Sequence, residues 1–156
     1  MESIKLISGV GMNKTLALIL SLILIFSCSK PTDKEAVKRQ IFNTEKSFEK
    51  MCAEKGIAEA FYFFADDRAV IKRQNDSLII GNEKIKLYYS KPAYQNALVN
   101  WAPDFVDVSD DGTLAYSYGK YLWKIWSEKG DTTEYRGVFH TVWKKQRDGK
   151  WKYVWD

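Results

Sequence analysis

The sequence predicts an α+β domain in which helices come first and a long, mostly antiparallel sheet follows. Apolar residues recur at helical spacing between positions 33 and 65. From Leu98 onward the pattern changes to long strand-like runs, separated by turn signals such as Ser109-Asp110-Asp111-Gly112. Because the helices come first and the long antiparallel strands follow, we expect the helices to pack on one face of a curved sheet.

The first 27 residues form a predicted signal peptide that precedes the domain. The apolar run Thr15–Phe26 follows Lys14 and is shorter than the roughly 20 residues that a helix needs to span a bilayer. It ends in Ile25-Phe26-Ser27-Cys28, which resembles a bacterial lipobox because an aliphatic residue lies three positions before the cysteine and a small one directly before it. We therefore predict that Cys28 is lipidated; the alternative is an ordinary secretory signal with a chance cysteine.

The lipobox resemblance implies a lipoprotein of the bacterial cell envelope. The lipid on Cys28 would anchor it to a membrane, which we expect to be the outer membrane, on its periplasmic or its surface side. Residues 28–32 would then be a short lipidated tether, and residues 33–156 a single domain. Met12, which directly precedes Asn13-Lys14, is an alternative start of the natural chain.

The first helix is predicted to run from Thr32 to about Lys55. Thr32 and Glu35 fit a capping box, and Gly56 suits the position after a helix C-terminus. The face expected to be buried repeats at spacings of four and three residues. Its members are Val37, Ile41, Thr44, Phe48 and Met51.

Two shorter helices and six strands complete the predicted domain. The helices are Ile57–Ala65, which is almost wholly apolar, and Glu83–Ser90, which ends before Pro92. The strands are bounded by turn residues and alternate between apolar and polar positions. They are Ala69–Lys72, Leu78–Ile80, Leu98–Val108, Leu114–Ser127, Thr132–Gln146 and Trp151–Trp155.

Composition argues against nucleic-acid binding and indicates an aromatic-rich interior. The formal net charge is +4, but both signs are interspersed, so the basic stripe that nucleic-acid binding requires is missing from the sequence. Aromatic residues make up 15% of the chain, which indicates large buried side chains or an aromatic cavity. If Cys28 is acylated, Cys52 has no partner for a disulfide and is expected to be a small buried hydrophobe.

Three motifs carry a resemblance to a known superfamily. They are Phe63-Phe64-Ala65-Asp66-Asp67 before the first strand, the run 111–116 (DGTLAY) that opens a long strand, and the run 142–152 (VWKKQRDGKWK) across the last hairpin. This order resembles the nuclear-transport-factor-2-like (NTF2-like, cystatin-like cone) superfamily, and in particular its SnoaL-like group, from about Glu35 to Trp155. The resemblance implies helices packed on a curved sheet. It leaves activity open, because the superfamily includes isomerases, cyclases, dehydratases, assembly hubs and binding modules.

Ketosteroid isomerases share this fold and allow the enzyme interpretation to be tested. Their Asp base and helix Tyr correspond here to Lys72 and Phe48, which cannot take those roles at neutral pH. Ketosteroid isomerisation is therefore not expected. The acids Asp66 and Asp67 suit turn bonds at a helix-to-strand corner. The alternative is an acid–base enzyme of the cyclase, dehydratase or isomerase type that uses Asp67 and pocket tyrosines.

The last hairpin also resembles the association domain of the calcium/calmodulin-dependent protein kinase II family. The arginines that hold a small carboxylate there correspond to Thr141 and Tyr118, so a carboxylate held in the same way is not expected. His140, the only histidine, would face outward, and it lacks neighbours that could complete a metal site. The match implies that six side chains face inward: Tyr118, Phe139, Thr141, Trp143, Tyr153 and Trp155.

These six side chains are expected to form partly a core and partly the wall of a cavity at the wide end of the cone. Tyr62 and Tyr88, from the helices, would complete that wall. We expect an apolar or amphipathic small molecule to bind there, with no cofactor, no metal and no catalysis. The enzyme based on Asp67 is the alternative. A third interpretation is a structural subunit that forms a homodimer through the open sheet face.

Overall fold

The computed structural model describes residues 32–127 and 129–156. The predicted signal peptide, the lipidation site Cys28 and almost all of the tether lie outside these residues. The described helices are α1 (Lys34–Lys55), α2 (Ile57–Phe64), α3 (Asn82–Tyr89) and α4 (Pro92–Gln95). The strands are β1 (Ala65–Lys72), β2 (Leu78–Ile80), β3 (Ala97–Val108), β4 (Leu114–Trp126), β5 (Thr132–Lys145) and β6 (Trp151–Trp155).

The six strands form one sheet in the order β2-β1-β6-β5-β4-β3. All neighbouring pairs are antiparallel except β1 and β6, which are parallel. Helix α1 packs along β3 and against α2, so the helices cover one face of the sheet. The predicted α+β class, with helices on a mostly antiparallel sheet, is therefore confirmed.

Helix α1 begins one residue later than predicted. Asp33 is its N-cap, because the Asp33 carboxylate accepts a hydrogen bond from the backbone N–H of Ala36 at 2.9 Å. The side chain of Thr32 instead packs over the turn at Gly112, where an added Cβ would lie 2.5 Å from the threonine methyl group. Thr32 therefore contributes to packing and not to the cap.

The buried face of α1 differs from the predicted one at two positions. Its buried residues are Val37, Ile41, Glu45, Phe48 and Cys52. Thr44 is turned aside and donates a hydrogen bond to the carbonyl of Gln40 at 2.8 Å. Met51 lies at the margin of the core. The buried face therefore contains an acid, Glu45, in place of the predicted neighbour Thr44.

An aromatic core joins the helices to the sheet. The ring of Phe48 lies 4.8 Å from that of Phe61, 4.9 Å from that of Trp101 and 5.8 Å from that of Tyr153, measured between centroids. Trp143 and Tyr153 are fully buried. Edge-to-face packing at such distances adds to the free energy of burial, so this cluster fixes the helices on the sheet.

The long strands bend at a bulge in β3. The register between β3 and β4 shifts between Pro103 and Phe105. Gly119 lies opposite the shift, and a Cβ there would collide with the carbonyl oxygen of Ala102. The bulge bends the sheet, and the parts of β3, β4 and β5 on one side of it border a cavity that the aromatic core also lines. In the described part of the chain, no helix is long and apolar enough to cross a membrane.

Candidate functional site

A cavity of about 470 Å³ opens between the sheet and helices α3 and α4. Its floor comes from β3, β4 and β5, and the ends of β1 and β6 close one side. Aromatic side chains supply most of its wall. They are Phe48, Phe61, Tyr88, Tyr89, Tyr94, Trp101, Tyr121, Trp123, Phe139 and Trp155.

Four rings from α3, α4 and β4 form a continuous aromatic wall. Tyr89 stacks on Trp123 with the ring centroids 6.3 Å apart, and Tyr94 meets the same indole edge-on at 5.9 Å. The Tyr94 hydroxyl donates to the Tyr88 hydroxyl at 2.6 Å. The hydroxyl hydrogen of Tyr88 has no acceptor among the described residues, so the wall offers one hydrogen-bond donor to the cavity.

A partly buried ion pair lines the opposite side of the cavity. The Arg73 Nη2 donates to Asp156 Oδ1 at 2.6 Å, and Arg73 Nε donates to the hydroxyl of Tyr89 at 2.7 Å. The other carboxylate oxygen of Asp156 accepts a hydrogen bond from Thr141 Oγ1 at 3.3 Å. Burial is the largest single influence on Arg73 and lowers its pKa, but the negative charge of Asp156 and the hydrogen bonds to Asp156 and Tyr89 together outweigh burial and raise that pKa. The guanidinium therefore stays charged and is neutralised by Asp156.

A second acid lies behind the cavity wall. Glu45 is 1% exposed and accepts hydrogen bonds from the indole N–H of Trp143 at 2.9 Å and of Trp101 at 2.8 Å. Ser117 donates to the same carboxylate at 2.5 Å. Burial raises the pKa of Glu45, although the three donors act in the opposite direction. Trp101 borders the cavity, so Glu45 holds part of its wall in position without reaching it.

The eight predicted ligand-binding residues divide into four groups. Four of them line the cavity: Tyr88, Phe139, Thr141 and Trp155. Two are core residues, since Trp143 and Tyr153 are fully buried and the Tyr153 hydroxyl donates to the carbonyl of Phe61 at 2.8 Å. Tyr62 lies in a different cleft. Tyr118 lies on the outer face of the sheet.

The inward orientation predicted for Tyr118 is wrong. Tyr118 pairs with His140 across β4 and β5, so their side chains share a face, and it stacks on Phe105 at 5.2 Å. It is 40% exposed, whereas its neighbour Ser117 is buried. Side chains alternate along a strand, so a buried Ser117 requires an outward Tyr118. His140 is exposed, and its ring lies 5.9 Å from that of Tyr116 on this outer face, although the residue also borders the cavity.

Asp67 lies away from the aromatic cavity. It is exposed in a second, polar cleft together with Tyr62, and it accepts a hydrogen bond from the side chain of Asn82 at 3.2 Å. Asp66 accepts a hydrogen bond from the backbone N–H of Arg68 at 3.1 Å, which is the turn bond expected at this corner. Asp67 therefore has no contact with the tyrosines of the aromatic cavity.

Several residues that line the cavity are not predicted as site residues from the sequence, among them Arg73, Tyr89, Tyr94, Trp123 and Asp156. Tyr89 and Trp123 could have been suspected, since each occupies an apolar position of an amphipathic element. The pair Arg73–Asp156 forms only because β1 runs parallel to β6, a contact between distant segments that no local pattern indicates. Within residues 32–127 and 129–156, no group of His, Cys, Asp and Glu is arranged to hold a metal ion.

Comparison with known proteins reveals similarity of structure and not of sequence. No family model matches the chain, and no curated protein matches it significantly. An NTF2-like protein with a cystatin-like fold from Novosphingobium aromaticivorans superposes with a TM-score of 0.64 at 14% identity, over 93% of this chain and 88% of that one. The association domain of C. elegans CaMKII gives 0.60 at 17% identity, over 78% and 94%.

A ketosteroid isomerase-like protein from Erwinia carotovora atroseptica is also similar. Its TM-score is 0.61 at 11% identity, over 74% of this chain and 90% of that one. Such low identities carry no activity from one protein to another, because this fold supports unrelated functions. What these structures share with the described domain is its architecture, and the chain therefore has the NTF2-like, cystatin-like cone fold.

Proposed function

We propose that this domain binds an uncharged small molecule, with a flat apolar body and one hydrogen-bond acceptor, in the aromatic cavity. The observation that carries the proposal is the chemistry of the wall. The wall is mostly aromatic, and the charges that line it are paired: Arg73 with Asp156, and the more exposed Lys72 with Asp76. A volume of about 470 Å³ lies within the range of about 300–1,000 Å³ that is typical of small-molecule sites.

Binding without catalysis is the form of this function that the contacts favour. General acid–base catalysis needs an acid or base that can reach the ligand with a hydrogen bond to spare. Both oxygens of the Asp156 carboxylate already accept hydrogen bonds, and Glu45 is enclosed by three donors behind the wall. The alternative enzyme based on Asp67 is less well supported, because Asp67 and the cavity tyrosines occupy separate clefts.

The expected affinity follows from the area that a ligand would bury. At roughly 25 cal/mol per Å² of apolar surface, a two-ring compound that buries a few hundred Å² gains several kcal/mol. Loss of translational and rotational freedom offsets part of that gain. Dissociation constants on the order of micromolar are therefore expected for ligands that fill the cavity.

Fluorescence titration with N-phenyl-1-naphthylamine, an uncharged probe that contains a naphthyl and a phenyl group, tests the proposal. We expect saturable binding with one probe per domain, and a loss of at least about fivefold in affinity for Trp123→Ala, which removes one wall of the cavity. Tyr118→Ala is the matched control, since it removes an aromatic ring from the outer face. Non-saturable binding, or an equal loss in both variants, would refute the cavity as the binding site.

We also propose that the chain is a lipoprotein, held at the bacterial outer membrane by lipid on Cys28. The support is the apolar run before Cys28 and the lipobox-like residues around it. A cavity domain next to a membrane would be well situated to take up amphipathic compounds.

The outer sheet face supports a further proposal, a homodimer. Four large apolar or aromatic side chains are exposed on β3, β4 and β5, namely Phe105, Tyr116, Tyr118 and Val138, and the ring of Phe105 contacts those of Tyr116 and Tyr118. Exposed apolar surface of this kind is typical of protein interfaces. Association and hub domains among the similar structures, from C. elegans CaMKII and S. rosetta CaMKII, carry the same fold.

A further inference from the structure

The guanidinium of Arg73 is placed so that it could bind the carboxylate of a ligand. The carboxylate of Asp156, a residue of the same chain, already binds it. Arg73 and Asp156 both line the cavity. Their side chains are 21% and 15% exposed, so most of this ion pair is out of contact with water. Arg73 Nε donates to the hydroxyl of Tyr89, and Nη1 donates to the main-chain oxygens of Lys72 at 2.7 Å and Asp156 at 3.3 Å. Nη2 is left as the group that meets the side chain of Asp156.

Asp156 takes up the part of the site that an anionic ligand would need. Its Oδ1 accepts from Arg73 at 2.6 Å, and its Oδ2 accepts from Thr141 at 3.3 Å. The backbone fixes this position, because Asp156 donates to the carbonyl of Val70 at 3.0 Å and accepts from the N–H of Lys72 at 2.8 Å. A ligand carboxylate would have to displace a carboxylate that is already held in place, and would meet its negative charge at close range.

We propose that Asp156 is a built-in counter-ion that sets the charge specificity of the cavity. With Asp156 in place the cavity accepts uncharged ligands and rejects carboxylates. Without that charge, Arg73 and Thr141 form a carboxylate site, because a guanidinium and a hydroxyl can both donate to the same anion. This inference rests on the proposed small-molecule function of the cavity.

Two probes of the same shape but different charge, 2-naphthamide and 2-naphthoate, distinguish the two specificities. We expect the wild-type domain to bind the amide and to bind the carboxylate at least about tenfold more weakly. Asp156→Asn should reverse the preference and tighten naphthoate binding by about tenfold or more, the gain expected from a charge-assisted hydrogen bond. Calorimetry and ligand-observed NMR would measure both constants.

Two control variants identify the cause of a reversed preference between naphthamide and naphthoate. Glu134→Gln makes the same change in net charge at an exposed pair with Lys124 and Arg136, so it should leave both constants within about twofold. Arg73→Gln combined with Asp156→Asn should lose the gain for naphthoate and keep the binding of naphthamide. If Asp156→Asn does not fold alone, refolding in the presence of naphthoate replaces the titration; rescue supports the proposal, and failure of rescue refutes it.

The outcomes separate this inference from the proposed function. If the wild type binds naphthamide but Asp156→Asn gains nothing for naphthoate, the inference is wrong and the cavity still binds small molecules. Equal wild-type affinity for the two probes also refutes it. If the wild type binds neither probe, the proposed function fails. The role of Asp156 then survives only if Asp156→Asn binds naphthoate through Arg73.

Discussion

The carboxylate of Glu45 accepts a hydrogen bond from the indole N–H of Trp143 at 2.9 Å, which joins the middle of α1 to β5. Ser117 of β4 and Trp101 of β3 donate to the same carboxylate. One buried acid therefore ties the first helix to three neighbouring strands. Since Trp101 borders the cavity, this network also determines where one side of the cavity wall lies.

The buried state of Glu45 predicts how stability depends on pH. The pKa of Glu45 is raised above its ordinary value of 4.5 in the folded protein, so between these two values the native state holds a proton that the unfolded chain has released. The contribution of Glu45 to the free energy of unfolding is therefore fully present below about pH 4.5 and falls as pH rises through the folded pKa. Each unit of difference in pKa corresponds to about 1.4 kcal/mol.

Urea unfolding at pH 4.5, 6 and 7.5 would measure this dependence. Glu45→Gln removes the titrating group, so its free energy of unfolding should change less over this range than that of the wild type. Glu54→Gln on the exposed side of the same helix is the control, and it should keep the wild-type dependence. Parallel pH profiles for the wild type and Glu45→Gln would contradict the prediction.

The free hydroxyl hydrogen of Tyr88 predicts which ligands depend on this residue. Tyr88→Phe should weaken the binding of 2-naphthamide about threefold to tenfold, which is the range of a single hydrogen bond. It should leave the binding of naphthalene unchanged, because naphthalene has no acceptor. Tyr118→Phe, the same change on the outer face, should affect neither compound. An equal loss for naphthalene would mean that Tyr88 acts through packing alone.

Local patterns were sufficient to predict most of the elements. Apolar spacing and turn residues gave α1 through Lys55 and placed β2 and β6 at the observed bounds. The acid in the core could also have been predicted. Glu45 lies four residues after Ile41 and three before Phe48, which is the spacing of the buried stripe. The burial of Glu45 is not expected from its residue type, because charged residues are rarely fully buried.

The residues of the cavity could not be predicted from local sequence patterns. The inward orientation of Tyr118 was predicted from the match to a similar hairpin. The alternation of the small residues Ala115, Ser117 and Gly119 along β4 predicts instead that Tyr118 faces outward. Arg73 and Asp156 are 83 residues apart and meet through the parallel pairing of β1 with β6. No spacing in the sequence identifies such a pair.

The exposed apolar face predicts a dimer that one charge on that face would disrupt. Val138 is 70% exposed and lies across from Lys120 on the outer face, and it also borders the rim of the cavity. Val138→Arg would put a charge into an interface that must bury about 800 Å² of each partner to be stable. Sedimentation should detect a wild-type dimer and a monomeric variant. Leu87→Arg, at an equally exposed apolar position on α3, should remain dimeric. A monomeric wild type would refute the dimer.

The two cysteines of the chain allow a matched test of the lipid anchor. Cys28 follows the apolar run, whereas Cys52 is buried in α1, and burial raises the pKa of its thiol, so Cys52 should be unreactive. Expressed in a bacterium with radiolabelled palmitate, the wild type and Cys52→Ser should both carry label, and their mature N-terminus should be residue 28. Cys28→Ser should lose the label and leave the membrane fraction.

The predicted lipid anchor should hold the protein firmly at the membrane. A single acyl chain binds membranes only marginally, and firm attachment needs a second one. We therefore expect the wild type to stay in the membrane fraction through washes with high salt and to be released only by detergent. Since the formal net charge of +4 is dispersed along the sequence, electrostatic attraction alone would not survive such washes. A mature N-terminus at any other residue, or label that persists in Cys28→Ser, would show that the anchor lies elsewhere.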